Sequence, residues 1–122
     1  MSHSVVLRGS AEAAGHQVNI RAIIDPSEDI GIPDGDRLLA FAGTVLGTDT
    51  EALANARNAL VERLGGDALV AASLIAGNFS RNDRVADAIG IPMEADFLNK
   101  SEDFREDLGI NGFLSARNTL GK

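Results

Sequence analysis

The densest set of chemically capable side chains in this sequence spans three helical turns: Asn78, Arg81, Asn82, Asp83, Arg84 and Asp87. In a helix, residues three and four apart share a face, so these groups can act together. One reading is enzymatic: Arg81 or Arg84 holds a substrate carboxylate through two parallel N–H bonds, and Asp83 or Asp87, pushed up in pKa by burial, is a general base. The other is structural. Arg84 and Asp87 stand three residues apart and can pair, while Asn82 and Asp87 can bond backbone groups of a neighbouring helix or a sister subunit. The structural reading is simpler, because paired ionisable groups more often serve architecture than catalysis. Arg81, Arg84, Asp83 and Asp87 therefore stand as catalytic candidates with no role assigned.

Other constellations carry less. His3 and His16 titrate near neutrality but sit in no motif; His3 is expected in a terminus and His16 in a loop after Gly15. The acidic run Asp25, Glu28, Asp29, Asp34 and Asp36 misses the alternating oxygen spacing of a calcium loop and is broken by prolines, so a solvated loop is expected. No Gly-x-Gly-x-x-Gly, Gly-Lys-Ser/Thr or Gly-x-Ser-x-Gly occurs, which removes the phosphate-loop, dinucleotide and nucleophile-elbow readings. With no cysteine, zinc fingers, iron–sulfur clusters and thiol nucleophiles are excluded, so neither a metal nor a cofactor is expected.

Composition narrows the partners. The 122 residues carry 11 basic and 18 acidic side chains, a formal net charge of −7, and no Tyr or Trp beside their five Phe. A nucleic-acid groove or an anionic-membrane face calls for the opposite balance. The opening Met1-Ser2-His3-Ser4-Val5-Val6-Leu7-Arg8 has too short an apolar run for a signal-peptide core, so a cytoplasmic location is expected.

The elements that must position these groups divide near Pro33. Residues 34–122 read as one helical domain. Asp34 is placed to cap a first helix with Leu38, Leu39, Ala42, Val45 and Leu46 on one stripe and Gly47 as its stop. Thr48-Asp49-Thr50-Glu51 has the form of a capping box, opening a helix with Leu53, Ala56, Leu60 and Leu64 inward and Gly65-Gly66 at its end. Asp67 opens a third helix running to Ile89. Its first half, residues 68–76, is apolar on nearly every side, which predicts a central position. Residues 93–98 allow another turn or two. Ser101 starts a last helix anchored by Phe104 and Leu108, and the tail with Phe113 and Leu114 is expected to dock on the core.

Residues 1–33 read as an N-terminal arm. Ala11 to Ala14 would suit a helix broken by Gly15, while Val18, Ile20, Ala22 and Ile24 alternate with other residues like a half-buried strand, the favoured reading, whose nearest mate in sequence is Val5-Val6-Leu7. Such a strand would leave an unpaired edge, which predicts cover by another subunit and hence a homo-oligomer.

Leu38-Leu39-Ala40-Phe41-Ala42, Asp67-Ala68-Leu69-Val70 and above all the run from Asn78-Phe79-Ser80-Arg81-Asn82 through Ala86-Asp87-Ala88 to Gly90-Ile91-Pro92 resemble the C-terminal half of the carboxymuconolactone decarboxylase and alkylhydroperoxidase-like superfamily. The resemblance covers roughly residues 37–98. It implies an all-α fold, a small helical bundle of the alkylhydroperoxidase-like type, that assembles as dimers, trimers or hexamers. In the redox branch it also implies a Cys-x-x-Cys with histidine and glutamate upstream. This chain departs there: the thiols are missing, so disulfide-forming peroxide reduction is chemically impossible in this polypeptide.

Three functions follow as expectations. The first is a non-redox, non-catalytic binding or assembly protein. The second is a cysteine-independent decarboxylase or lactone-type enzyme holding a small carboxylated substrate through Arg81 or Arg84. The third is a subunit that docks on a different chain through residues 18–24. A small-molecule ligand is compatible with each.

Overall fold

A computed structural model describes residues 2–121 of this chain, with side chains from Val6 onward. Among the described residues the structure is helical throughout and contains no strand. The helices are α1 (Ser2–Ala13), α2 (Gly35–Val45), α3 (Thr50–Leu64), α4 (Gly66–Ile89), α5 (Ala95–Lys100), α6 (Glu102–Arg105) and α7 (Arg117–Leu120). Short 3-10 turns occur at Ile20–Ile23, Ile110–Gly112 and Leu114–Ala116. Among the described residues no helix is long and apolar enough to cross a membrane. The chain divides into two compact units, one formed by Met1–Pro33 with Ala86–Lys122 and the other by Asp34–Val85.

The 34–85 unit is built on the pairing of α2 with α3. Phe41 on α2 and Leu60 on α3 are its deepest large side chains, with Leu60 fully buried. Leu38, Leu39, Leu53 and Ala56 are half-buried on the predicted stripes, whereas Leu46 stays exposed beyond the end of α2. The cap of α3 differs from the capping box by one residue. Asp49, not Thr48, precedes the helix, and its carboxylate accepts from the amides of Glu51 (3.0 Å) and Ala52 (2.9 Å). A carboxylate at this position both satisfies orphan donors and complements the positive end of the helix. Gly65 ends α3 at φ 87°, a conformation that favours glycine.

The other unit gathers a small core from Ala11 of α1, Ile20, Ala22, Ile30, Phe104 and Ala116. Ser101 sits fully buried between α5 and α6. Its hydroxyl donates back to the carbonyls of Phe97 (2.8 Å) and Leu98 (3.1 Å), so it closes α5 instead of capping α6 through its side chain. Thr119 on α7 accepts from the Met93 amide at 2.7 Å and so ties the tail to the segment before α5.

Three expectations need correction. The strand-like arm is helical: α1 takes residues 2–13, and residues 20–23 close a 3-10 turn. Asn19 dictates this turn locally, because its side-chain oxygen accepts from the Arg21 amide at 3.1 Å and its carbonyl from the Ala22 amide at 3.2 Å. The alternation that suggested a strand is met only in its middle, where Ile20 and Ala22 are buried while Arg21 and Ile23 face solvent; Ile24 is exposed. With no strand there is no unpaired edge, and the arguments drawn from an edge at 18–24 lapse. Phe113 and Leu114 do not dock; they are exposed, and Ala116 is the residue of the tail that enters the core. Finally, α4 is not a central helix. None of its residues is buried, whereas Phe41 on α2 and Leu60 on α3 are. An all-round apolar pattern reports a need for cover without saying which surface supplies it.

Candidate functional site

The polar segment of α4 is held by contacts along the helix itself. Arg81 Nη2 donates to Asn78 Oδ1 at 2.7 Å and to Asn82 Oδ1 at 3.2 Å. Arg84 Nε donates to Ser80 Oγ at 3.4 Å, so the expected Arg84–Asp87 pair does not form. Arg81, Asp83, Arg84 and Asp87 are all exposed. Burial, on which both readings of this cluster relied, is thus absent from the isolated chain. The helix presents Arg81 amid two asparagine oxygens, an arrangement suited to hydrogen-bond exchange with whatever covers this face.

Around that segment the surface is apolar. Val70, Leu74, Ile75, Val85 and Ile89 are each more than half exposed, Leu74 at 68% and Ile89 at 69%. Isolated apolar residues on a surface are ordinary, but a contiguous helical face of them marks an interaction surface.

A second polar grouping, which the sequence reading missed, lies in the unit formed by residues 1–33 and 86–122. Both terminal nitrogens of Arg8 on α1 donate to Asp103 Oδ2 at 2.7 Å, and its guanidinium lies 5.2 Å from the centre of the Phe104 ring. Beside it, Arg21 donates through Nε (3.1 Å) and Nη2 (2.5 Å) to Asp107 Oδ2. The hydrogen bond to Asp107, and then its charge, hold Arg21 above the ordinary guanidinium range. These pairs border an open cleft of about 250 Å³. Each guanidinium there already faces a carboxylate, so the chemistry of the cleft is that of a staple between distant segments: a ligand carboxylate would have to displace Asp103 or Asp107. No local pattern could have revealed partners separated by 95 and 86 residues.

The remaining candidates stay apart. His16 is exposed on the loop after α1, and the His3 side chain lies outside the described residues. Asp25 accepts from both the hydroxyl (2.7 Å) and the amide (3.0 Å) of Ser27, and these two bonds, the hydroxyl first, hold its carboxyl below the usual range. Among the described residues no three His, Asp or Glu side chains are grouped to hold a metal ion.

Comparison with protein-family models, with curated proteins and with solved structures finds no match for this chain.

Proposed function

We propose that this protein is a non-redox, non-catalytic helical binding or assembly protein that works as a homo-oligomer, similar to the carboxymuconolactone decarboxylase-like family over roughly residues 37–98. The observation that carries the reading is the exposed apolar face of α4, with Leu74 and Ile89 each more than two-thirds open to solvent. A 24-residue helix with that composition and no buried residue is built to be covered. The chemistry available points the same way. The chain has no cysteine for thiol redox work, and the best-formed polar sites, Arg8–Asp103, Arg21–Asp107 and Arg63–Asp34, pair guanidinium with carboxylate and leave neither group free for a substrate.

Native mass spectrometry of protein purified without added ligand tests the proposal. The expected spectrum is a multiple of the 12.8 kDa chain with no added mass. A stoichiometric small molecule released on denaturation would instead favour the enzymatic reading, with Arg81, Arg84 and Asp87 as the residues to substitute first. A monomer would overturn the assembly reading.

A further inference from the structure

The segment between α6 and α7 carries the single Asn-Gly dipeptide of the chain, Asn111-Gly112; every other asparagine precedes a residue with a side chain. Both residues are exposed, on the 3-10 turn Ile110–Gly112. Nothing in the fold calls for glycine at 112. Its φ lies outside the left-handed region, and a Cβ built there meets no atom within 4 Å. The missing side chain leaves an unshielded backbone nitrogen next to the Asn111 carboxamide.

That carboxamide faces a cation that has no carboxylate of its own. Arg105 Nη1 lies 3.5 Å from Asn111 Oδ1. Among the described residues Arg105 makes no ion pair, and its Nε is buried without a hydrogen-bond partner. A guanidinium so placed polarises the carbonyl beside it and stabilises negative charge that develops on the oxygen. It also favours an acid over an amide at position 111, because a carboxylate supplies the missing counter-charge.

We propose that Asn111-Gly112 is a site of spontaneous covalent modification, at which the asparagine converts to aspartate and isoaspartate without an enzyme. The Gly112 nitrogen attacks Cγ of Asn111. The new C–N bond closes a succinimide ring as the Cγ–Nδ2 bond breaks; the Gly112 amide proton passes to solvent, and Nδ2 takes a proton from solvent and leaves as ammonia. Water then opens the ring at either carbonyl, giving aspartate with the main chain unchanged or isoaspartate with the main chain rerouted through Cγ. Water enters and ammonia leaves, so no oxidant, reductant or cofactor takes part. The Gly112 amide donates to the Gly109 carbonyl at 3.1 Å. Attack therefore waits on the opening of one bond at the end of a 3-10 turn, a helix type whose hydrogen bonds are poorly aligned. Each conversion adds one negative charge to the formal −7 and places it beside Arg105.

The folded protein is incubated in mildly alkaline buffer, with the denatured chain in parallel, and followed by intact mass and peptide mapping. The expected result is a gain of about 1 Da per chain, confined to the peptide that contains Asn111, which separates into two isomeric products. Gly112→Ala, which the open space around the residue accommodates, should lose the gain over the time in which wild type converts by half. Arg105→Gln, matched to wild type in helix content by circular dichroism, should convert more slowly. Folded protein that stays unchanged while the denatured chain converts would overturn the proposal, as would a gain at a different asparagine or an equal rate in Gly112→Ala. An unaltered rate in Arg105→Gln would remove its guanidinium from the step.

Discussion

Asp34 accepts a hydrogen bond from Arg63 Nε at 2.8 Å, joining the entry of α2 to the last turn of α3 across 29 residues of sequence. Asp34 stands at φ 53°, in the left-handed region, at the N-cap of α2, where its carbonyl accepts from the amides of Arg37 (3.2 Å) and Leu38 (3.3 Å) while its carboxylate makes no cap bond. Its carboxylate, at 14% exposure, also receives Arg37 Nη1 at 3.3 Å. The residue expected to cap α2 stands at that position, and its carboxylate fastens α2 to α3. The bond to Asp34, and then its charge, raise Arg63 above the ordinary guanidinium range.

Asp34→Ala loses both ion pairs and leaves an alanine in a left-handed conformation, whose backbone strain alone is worth about 1–2 kcal/mol. Asp34→Gly removes the same carboxylate without that strain. Denaturant unfolding should rank wild type above Asp34→Gly and Asp34→Gly above Asp34→Ala; equal stability of the two variants would contradict the strain argument.

Leu60 is the fully buried aliphatic of the α2–α3 pair, so Leu60→Ala opens a cavity and costs about 2–5 kcal/mol. The same truncation at Leu74 should behave differently. Leu74 is 68% exposed in the single chain, so its loss leaves the fold intact and weakens self-association. Unfolding measured over a range of protein concentrations separates the two, because only wild type and Leu60→Ala should melt in a concentration-dependent manner.

Gly31 sits at φ 79°, and a Cβ there would collide with the Gln17 carbonyl oxygen. Gly31→Ala meets backbone strain and a clash together, for an expected loss of about 2 kcal/mol or more. The neighbouring bond from the Asn19 amide to the Ile30 carbonyl should be the first to open, seen as faster hydrogen exchange at Asn19.

For Asp25 the sign of the pH dependence follows from its lowered pKa. A carboxyl held below its unfolded value of about 4 contributes stability that is present above that pH and lost as pH falls through the folded value. Ser27→Ala removes the hydroxyl bond but keeps the amide bond. Carbon-detected NMR titration should show the Asp25 midpoint moving upward in Ser27→Ala; an unchanged midpoint would contradict the assigned cause.

Much of the helical framework was legible because its signals are local. Gly65 and Gly90 stop α3 and α4 at positive φ, as the apolar stripes ahead of them required. Phe104 is buried as predicted from its place in the last helix. The polar stretch from Asn78 to Asp87 was also visible as a cluster, but its surroundings were not. Whether a helix is covered depends on how much apolar surface its neighbours have left after satisfying one another.

The same distinction holds for the whole molecule. The sequence by itself determined the all-α class, the absence of thiol chemistry, the acidic balance and the pattern of one long apolar helix, because composition and helical period are properties of neighbours along the chain. Only the tertiary structure decided that Arg8 and Arg21 are claimed by Asp103 and Asp107, that Asp34 clamps Arg63, and that α4 remains uncovered. Those outcomes join residues tens of positions apart, where the competition among alternative partners, and not local propensity, selects the contact.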